Sequence, residues 1–427
     1  MEVSRLSYAS DEIADAESDV SFMVKQTITQ GCNDGGVLAF RFPGDPDRFT
    51  DLNKTLLRVT VSVTLPNGNY PDFAAANYQS VWLDPEGIHS LFSSVEVKFN
   101  DDTVSTMTMY PFTSALVRSL GSTQEFRSSV WDELDGSHEH TELRSSYLNS
   151  AITLEEEAWA LQIRRDKELT GRIYSDVLTS SRQYLPPGVT LTINLRRAPD
   201  HFSLVTDRVA NDYRLRISSA SVYIKRLQVR PSLLPRALES VRESKCLTFN
   251  RLECRMLAVP QGSSVFRWQN CLNSAPIPNR LYVAFVAQES IYGTITRIST
   301  YFESLNLYTL NFKLNGRDIL VEPIKVTISK NVLDGRLNDD ESDARQGYLT
   351  LLQVLNHISD QSDTVKMSLV RYMRGYFFYA VELGKCGQKI GGSGSLDIEA
   401  TFNAALTDLP ACMLVFTEKT ASAQISM

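Results

Sequence analysis

Val95-Glu-Val-Lys-Phe-Asn-Asp-Asp-Thr-Val104 and Leu310-Asn-Phe-Lys-Leu-Asn-Gly-Arg-Asp-Ile319 are one pattern written twice, 215 residues apart. Each copy opens with three alternate apolar residues, Val95, Val97 and Phe99 in the first and Leu310, Phe312 and Leu314 in the second. A lysine follows the second of them (Lys98, Lys313), an asparagine then opens a polar turn (Asn100, Asn315), and an apolar residue returns at the same place (Val104, Ile319). Strict alternation is the mark of a half-buried strand, and Asn followed by Asp or Gly tolerates the positive φ of a tight hairpin turn. One such hairpin is ordinary. Two that superpose predict a duplicated β-domain.

The rest of the chain is read against that pair. Residues 1–20 carry six carboxylates against the lone Arg5 and show no apolar period, so they are expected to be a flexible acidic arm. Strand-like runs follow at Ser21–Gln30, Val37–Phe42 and Thr55–Leu65, the last ending at Pro66-Asn67-Gly68. An excursion at 105–170 changes period. Thr153-Leu-Glu-Glu156 is a capping box ahead of a helical face formed by Ala158, Trp159, Leu161 and Ile163, and Pro111–Leu120 reads as a shorter helix. Strands resume at Gly171–Leu178, Gly188–Leu195 and Arg214–Val229. Pro231 and Pro235 then break the pattern, and Ala237–Arg242 reads as a short joining helix. The order repeats with strands at Cys246–Val259, Val265–Trp268 and Leu281–Ala287, the second hairpin, a helix at Tyr348–Ile358, and strands at Tyr376–Leu383, Leu396–Phe402 and Met413–Thr417. Two further superpositions support duplication: Leu169–Val177 on Met373–Val381, and the run after Gly188 on the run after Gly394. The expected organisation is an arm at 1–20, a first domain at 21–230, a linker at 231–245, a second domain at 246–417 and a polar tail at 418–427.

About eight strands in some 200 residues, twice, predict an all-β chain of two tandem eight-stranded antiparallel jelly rolls, with short helices in the excursions and between the domains. The run Gly87-Ile-His-Ser-Leu-Phe-Ser-Ser-Val-Glu-Val-Lys-Phe-Asn100, continuing to Tyr110-Pro111-Phe112, resembles the first-domain signature of double jelly-roll capsid proteins of the Maverick/Polinton and adintovirus-like type. Pro278-Asn-Arg-Leu-Tyr-Val-Ala-Phe-Val286 and Leu305–Gly316 resemble the second-domain signature. The likeness extends over most of 20–417. Where those relatives carry an Asn-Pro-Phe-type run ahead of the second hairpin, this chain has Ser299-Thr-Tyr-Phe302. The resemblance implies a major capsid protein that forms homotrimeric, pseudo-hexameric capsomers. These tile an icosahedral shell around double-stranded DNA, with penton and minor capsid proteins as partners and the virion as location.

Composition bounds the alternatives. An apolar share of 43% with 22% charged residues describes a folded chain rather than a disordered one. A net charge of −7 argues against a protein whose work is to grip phosphate backbones, and no specific nucleic-acid binding is expected. The N-terminal residues are polar and acidic without an apolar core like a signal peptide's, and no run approaches 18 apolar residues, so the chain reads as soluble and intracellular when made.

No catalytic, cofactor-binding or metal residue is assigned. The six cysteines, at 32, 246, 254, 271, 386 and 412, show neither a CxxC pair nor a ligand rhythm with the histidines. His138-Glu139-His140 has the spacing of a ligand pair on a strand, yet Ser137 and Thr141 beside it read as a loop. The acidic run Asp339-Asp340-Glu341-Ser342-Asp343 lacks the spacing and glycine of a calcium loop. Gly391-Gly-Ser-Gly-Ser395 precedes a strand and lacks the lysine of a phosphate cradle. Asn53-Lys-Thr55 fits a glycosylation sequon, but without a secretion signal it counts for little. The aromatics of Tyr376–Tyr379 read as core. Two other function classes fit a jelly-roll frame: an attachment or lectin-like module, including a minor capsid protein, and an amide-cleaving enzyme, for which a secretion signal is expected and absent.

Overall fold

The structure, a computed structural model, describes residues 20–28, 35–70, 81–121, 134–137, 166–206, 213–229, 234–244, 246–272, 277–305, 307–326, 342–355, 367–373, 375–383, 394–406 and 410–425. Outside the described residues lie the arm except for residue 20, the capping box with its helix, His138–His140, Asp339–Glu341 and Gly391–Ser393.

The first half contains β1 (Val20–Ile28), β2 (Val37–Phe42), β3 (Arg48–Thr64), β4 (Val81–Leu83), β5 (Phe92–Phe99), β6 (Asp102–Thr108), β7 (Lys167–Arg172), β8 (Leu191–Arg197), β9 (Leu204–Thr206) and β10 (Arg214–Gln228). Its two main sheets run in the orders β1-β10-β3-β7 and β2-β8-β5-β6, and β4 pairs with β9 as a small extra ribbon. The second half contains β11 (Cys246–Val259), β12 (Val265–Trp268), β13 (Arg280–Ala287), β14 (Leu307–Leu314), β15 (Arg317–Asp318), β16 (Ile324–Lys325), β17 (Tyr379–Glu382), β18 (Leu396–Phe402) and β19 (Ala411–Gln424). Its sheets run β11-β19-β13-β17 and β12-β18-β14-β15, with β16 added against β14. The two orders are the same, strand for strand. All the named pairings are antiparallel. Four strands facing four, twice over, is the double jelly roll.

The two hairpins show why the pattern repeats. Val95, Val97 and Phe99 are 0, 0 and 2% exposed, and Leu310, Phe312 and Leu314 are likewise 0, 0 and 2% exposed, so each alternating run delivers one face to its own core. Asn100 and Asp101 sit at φ 48° and 73°, Asn315 and Gly316 at 52° and 76°; both turns take two successive left-handed residues. Each asparagine also makes the same reciprocal pair of bonds to the neighbouring strand. Asn100 donates its N–H to the Thr190 carbonyl (3.0 Å) and accepts the Thr190 N–H at Oδ1 (2.7 Å). Asn315 does the same with Ser395, at 2.7 and 2.8 Å.

Those bonds fix the true correspondence in the eighth strand, Thr190 with Ser395 and Leu191 with Leu396. The sequence superposition, which sets Val189 on Leu396, is two residues out of register, because alternation is unchanged by a shift of two. The Leu169–Val177 match fails in a different way. Leu169–Arg172 lie in β7, but Met373–Tyr376 precede β17, and Asp176–Ser180 is a helix rather than the end of a strand. Ser175 stands in extended backbone before that helix without a side-chain cap bond, and the Asp176 carboxylate accepts the Val177 N–H at 2.7 Å, a local polar contact that an apolar-period reading passes over.

Residues 418–427, expected to be a polar tail, are corrected as far as Gln424: β19 continues through them. Glu418–Gln424 pair with Leu252–Cys246 along β11. Residues 420–423 are small and Glu418, Lys419 and Gln424 are polar, so no apolar period marks the strand, and its partner lies some 170 residues back. The joining helix is longer than expected, Leu234–Ser244, and turns Ala237 and Val241 into the first core. Helices Tyr110–Gly121 and Ser342–Val354 occupy the two excursions. Among the described residues no helix is long and apolar enough to cross a membrane.

Candidate functional site: the junction between the two jelly rolls

The segment Val81–Phe92 is buried at every position, polar residues included. It leaves β4, turns at Asp84-Pro85, makes one turn of 3-10 helix at Gly87–Leu91 and enters β5. Gly87 stands at φ 53°, and a Cβ there would fall 2.5 Å from the Asp135 carbonyl oxygen, so only glycine allows 135–137 to close over the turn.

Asp84 is the connection to the second half. Its carboxylate accepts the N–H of Ser299 (2.9 Å), the N–H of Thr300 (3.2 Å) and the Thr300 hydroxyl (2.5 Å), as well as the Glu86 N–H (3.1 Å) within its own turn. The Asp84 N–H in turn donates to the Ser203 carbonyl at 2.8 Å, and Ser299 Oγ donates to the Phe202 carbonyl at 3.2 Å. Burial pushes the carboxyl up to about 6 in spite of the Thr300 hydroxyl and the Glu86 amide, which favour its charged form. The Ser299–Phe302 run, where the sequence departs from the relatives it resembles, is therefore the second half's side of the junction.

Behind Asp84 lies a buried ion cluster. Arg118 donates to Glu86 Oε2 (2.8 Å), to Asp135 Oδ2 (3.2 Å) and to the Ser137 hydroxyl. Burial raises the Glu86 pKa and the Arg118 charge opposes it. His89, fully enclosed, has its Nδ1 3.0 Å from the Tyr110 hydroxyl; burial first, then the charge of Arg118, hold it well below the usual histidine value and so neutral. Arg197 is 1% exposed and is tied to the Leu91 and Leu215 carbonyls and to Asp200. Such clusters fix one arrangement of their elements because each buried charge needs its partners in place.

Aromatic packing runs through the same plane. Phe112 of the first half meets Phe202 (5.8 Å between ring centroids) and Phe302 of the second (6.2 Å), and Phe302 meets Phe378 (4.6 Å). At Gly293, φ 83°, a Cβ would come within 2.5 Å of Phe202 Cα, so the backbones of the two halves approach as closely as glycine permits. Leu247 and Phe249 of β11 and Ala423 of β19 lie in the first half's core, so the β11–β19 ribbon belongs to both.

A cleft of about 300 Å³ remains along the seam, between Met107, Leu116 and Leu120 on one side and Arg280, Tyr282 and Glu418 on the other. Its polar groups are already engaged: Arg280 lies 3.6 Å from Glu418, and Asn250 exchanges bonds with Ser180. The four described cysteines, 246, 254, 271 and 412, are free thiols. Burial pushes Cys271 up to about 12 and raises Cys254 and Cys412, which keeps these three protonated and weakly nucleophilic. No group of three or more His, Cys, Asp or Glu poised for a metal occurs among the described residues. The arrangement holds two domains in one fixed relation.

The junction residues were only partly visible in the sequence. The 87–100 run stands out there, but nothing local tells that Asp84 reaches Ser299 and Thr300, since the contact spans more than 200 residues.

No protein-family model matches the chain, and no curated protein matches it. Solved structures do. A chain of the Sputnik virophage is 12% identical, with 95% of this chain and 86% of that one covered and a TM-score of 0.62. The Faustovirus major capsid protein is 10% identical over 95% of this chain and 91% of its own, at 0.57. A chain of the PBCV-1 virus capsid is 11% identical over 94% of both, at 0.51. At such identities the likeness is one of fold, and it extends over both jelly rolls and the junction that joins them.

Proposed function

We propose that this chain is a viral major capsid protein that works by shape and self-association. Three copies form a pseudo-hexameric capsomer, and capsomers tile an icosahedral shell around double-stranded DNA. The observation that carries this reading is the identical strand order of the two halves, locked by the buried junction into a single body. Three such bodies place six similar units about one axis, so a single sequence fills a near-hexagonal lattice site. The fold shared with the Faustovirus and PBCV-1 capsid chains supports the reading, as does an acidic chain that suits a wall better than a DNA-condensing protein. The closer kinship to Maverick/Polinton-type elements rests on the residue runs at 87–112 and 278–316. Penton and minor capsid proteins are the expected partners beyond the chain itself, and the virion is the expected location.

The test is mass and shape in solution. Light scattering is expected to give three times the 47.9 kDa chain mass, and negative-stain images a hexagonal outline or closed shells. A monomer that stays monomeric at high concentration sinks the proposal. Small oligomers that bind glycans would instead mark an attachment module.

A further inference from the structure

The core of a sandwich dictates the inward residues of each strand and leaves the outward ones free to vary. On the outer faces of β2-β8-β5-β6 and β12-β18-β14-β15 the two halves nevertheless agree. The correspondence of Thr190 with Ser395 sets Arg196 on Thr401, and their edge-strand partners are Val37 and Val265, which are 51 and 54% exposed. Two residues along, a carboxylate and a carboxamide lie side by side in both halves with their strands exchanged: Glu96 beside Asn194, and Asn311 beside Glu399. At the next level stand Lys98 and Lys313. Each reaches the glutamate of its own half, at 3.2 and 3.8 Å, although that glutamate has changed strand. A cross-strand ion pair steadies a sheet, but a valine left in water at the same place on both edge strands gains nothing for the chain alone.

Where the two faces differ, they differ in sign at matched levels. At the level of the lysines the first half presents Arg41 and Lys98 with Thr192 between them. The second half presents Asp397 and Asp318 with Lys313 between them. At the hairpin turns Asp102 pairs with Phe99, and Arg317 takes the equivalent place opposite Leu314, so an acid in one half stands where the other has a base. Asp102, Arg317 and Asp318 are exposed, and the Arg41 side chain is 62% exposed. Partners within the same half hold these charges only loosely, Asp101 at 3.8 Å from Arg41 and Asp318 at 4.0 Å from Lys313, while Asp397 accepts the Asn270 N–H at 2.7 Å. Exposed contacts of that length are weak, which leaves the charges available to a second partner.

We infer that these two faces are the contact between capsomers, the first-half face of one copy lying against the second-half face of a copy in the neighbouring capsomer. The inference rests on the capsid-subunit reading and names the surface through which the shell closes. Three chains about one axis set first and second halves alternately around a six-sided perimeter. Opposite sides of that perimeter are three steps apart, so one is always a first half and the other a second. Capsomers laid down in a single orientation therefore meet first half to second half at every side. Such a lattice needs faces alike enough to share one spacing and opposite in charge where they touch. Val37 and Val265 answer the first need. Arg41 and Lys98 against Asp397 and Asp318, and Asp102 against Arg317, answer the second.

The experiment is a charge swap on the full chain, with trimer mass read by light scattering and shell yield by sedimentation and electron microscopy. Circular dichroism and melting check that each variant is folded. Arg41→Glu with Asp102→Arg is expected to leave a folded trimer whose shell yield falls about tenfold, and so is Asp397→Lys with Arg317→Glu. The chain carrying all four reversals has opposite signs facing again and is expected to recover shells. Val37→Glu with Val265→Glu disturbs no ion pair and is expected to give trimers without shells, which keeps the test decisive should a charge variant fail to fold. If the reversals dissociate the trimer, the faces lie inside the capsomer and the inference is overturned while the capsid reading stands. Shells at wild-type yield from every variant overturn it as well, and so does a quadruple variant that assembles no better than either pair. A monomeric wild type overturns both.

Discussion

Asp84 shows how one carboxylate can hold two domains to a single relative position. Four donors converge on it, three of them from Ser299 and Thr300 in the other half. Asp84→Ala leaves those buried donors without an acceptor, and a loss of about 3 kcal/mol is expected, read as a lowered denaturant midpoint at pH 7. Asp84→Asn isolates the charge. Because the folded value is about 6 and the ordinary one 3.8, the folded protein binds this proton at higher pH than the unfolded chain. The stabilisation is complete below about pH 4 and is lost as pH rises through about 6. Burial raises Glu86 and Asp176 as well, so their contributions carry the same sign. The wild-type midpoint minus that of Asp84→Asn is expected to grow on acidification from pH 7 to pH 4; a difference that stays flat across that interval rules out Asp84 as the titrating group.

At the scale of elements, the strand that runs past its expected end decides most. Residues 418–424 hold seven positions of the β11–β19 ribbon, and Glu418 accepts from Tyr282 and Asn250 at 3.4 Å while facing Arg280. Ending the chain at Thr417 exposes Leu247 and Phe249, which the first core needs, and strips β11 of half its ladder. That truncation is expected to abolish soluble expression or to yield a protein cleaved rapidly by protease, whereas a dispensable tail predicts no change in either. Residues 418–424 escaped sequence reading for a plain reason. Strand propensity is a weak local signal, and Thr420-Ala-Ser-Ala-Gln has no bulky residues to show a period of two. The hairpins at 95–108 and 307–318 lie at the other extreme, with large apolar residues, a turn signature and a partner next in sequence.

For the whole molecule, the acidic residues 1–19 directly precede β1, the edge strand of the β1-β10-β3-β7 sheet. Their deletion is expected to leave melting temperature and trimer mass unchanged and to lower the yield of closed shells, measured by sedimentation and electron microscopy. Truncated protein that assembles as efficiently as the full chain refutes a role for the arm in assembly. An arm that becomes ordered only against neighbouring capsomers loses its entropy at that step, which makes assembly the stage most sensitive to it.

What the amino-acid order determined by itself was the unit and its doubling: alternation, turn residues and their recurrence are local, and each is legible within ten or so positions. The tertiary structure alone decided how the two units are joined and that residues 418–424 are strand. Those outcomes depend on contacts between residues 70 to more than 200 positions apart, such as Ser180 with Asn250, Leu252 with Glu418 and Asp84 with Thr300. No periodicity within a segment records what will later press against it.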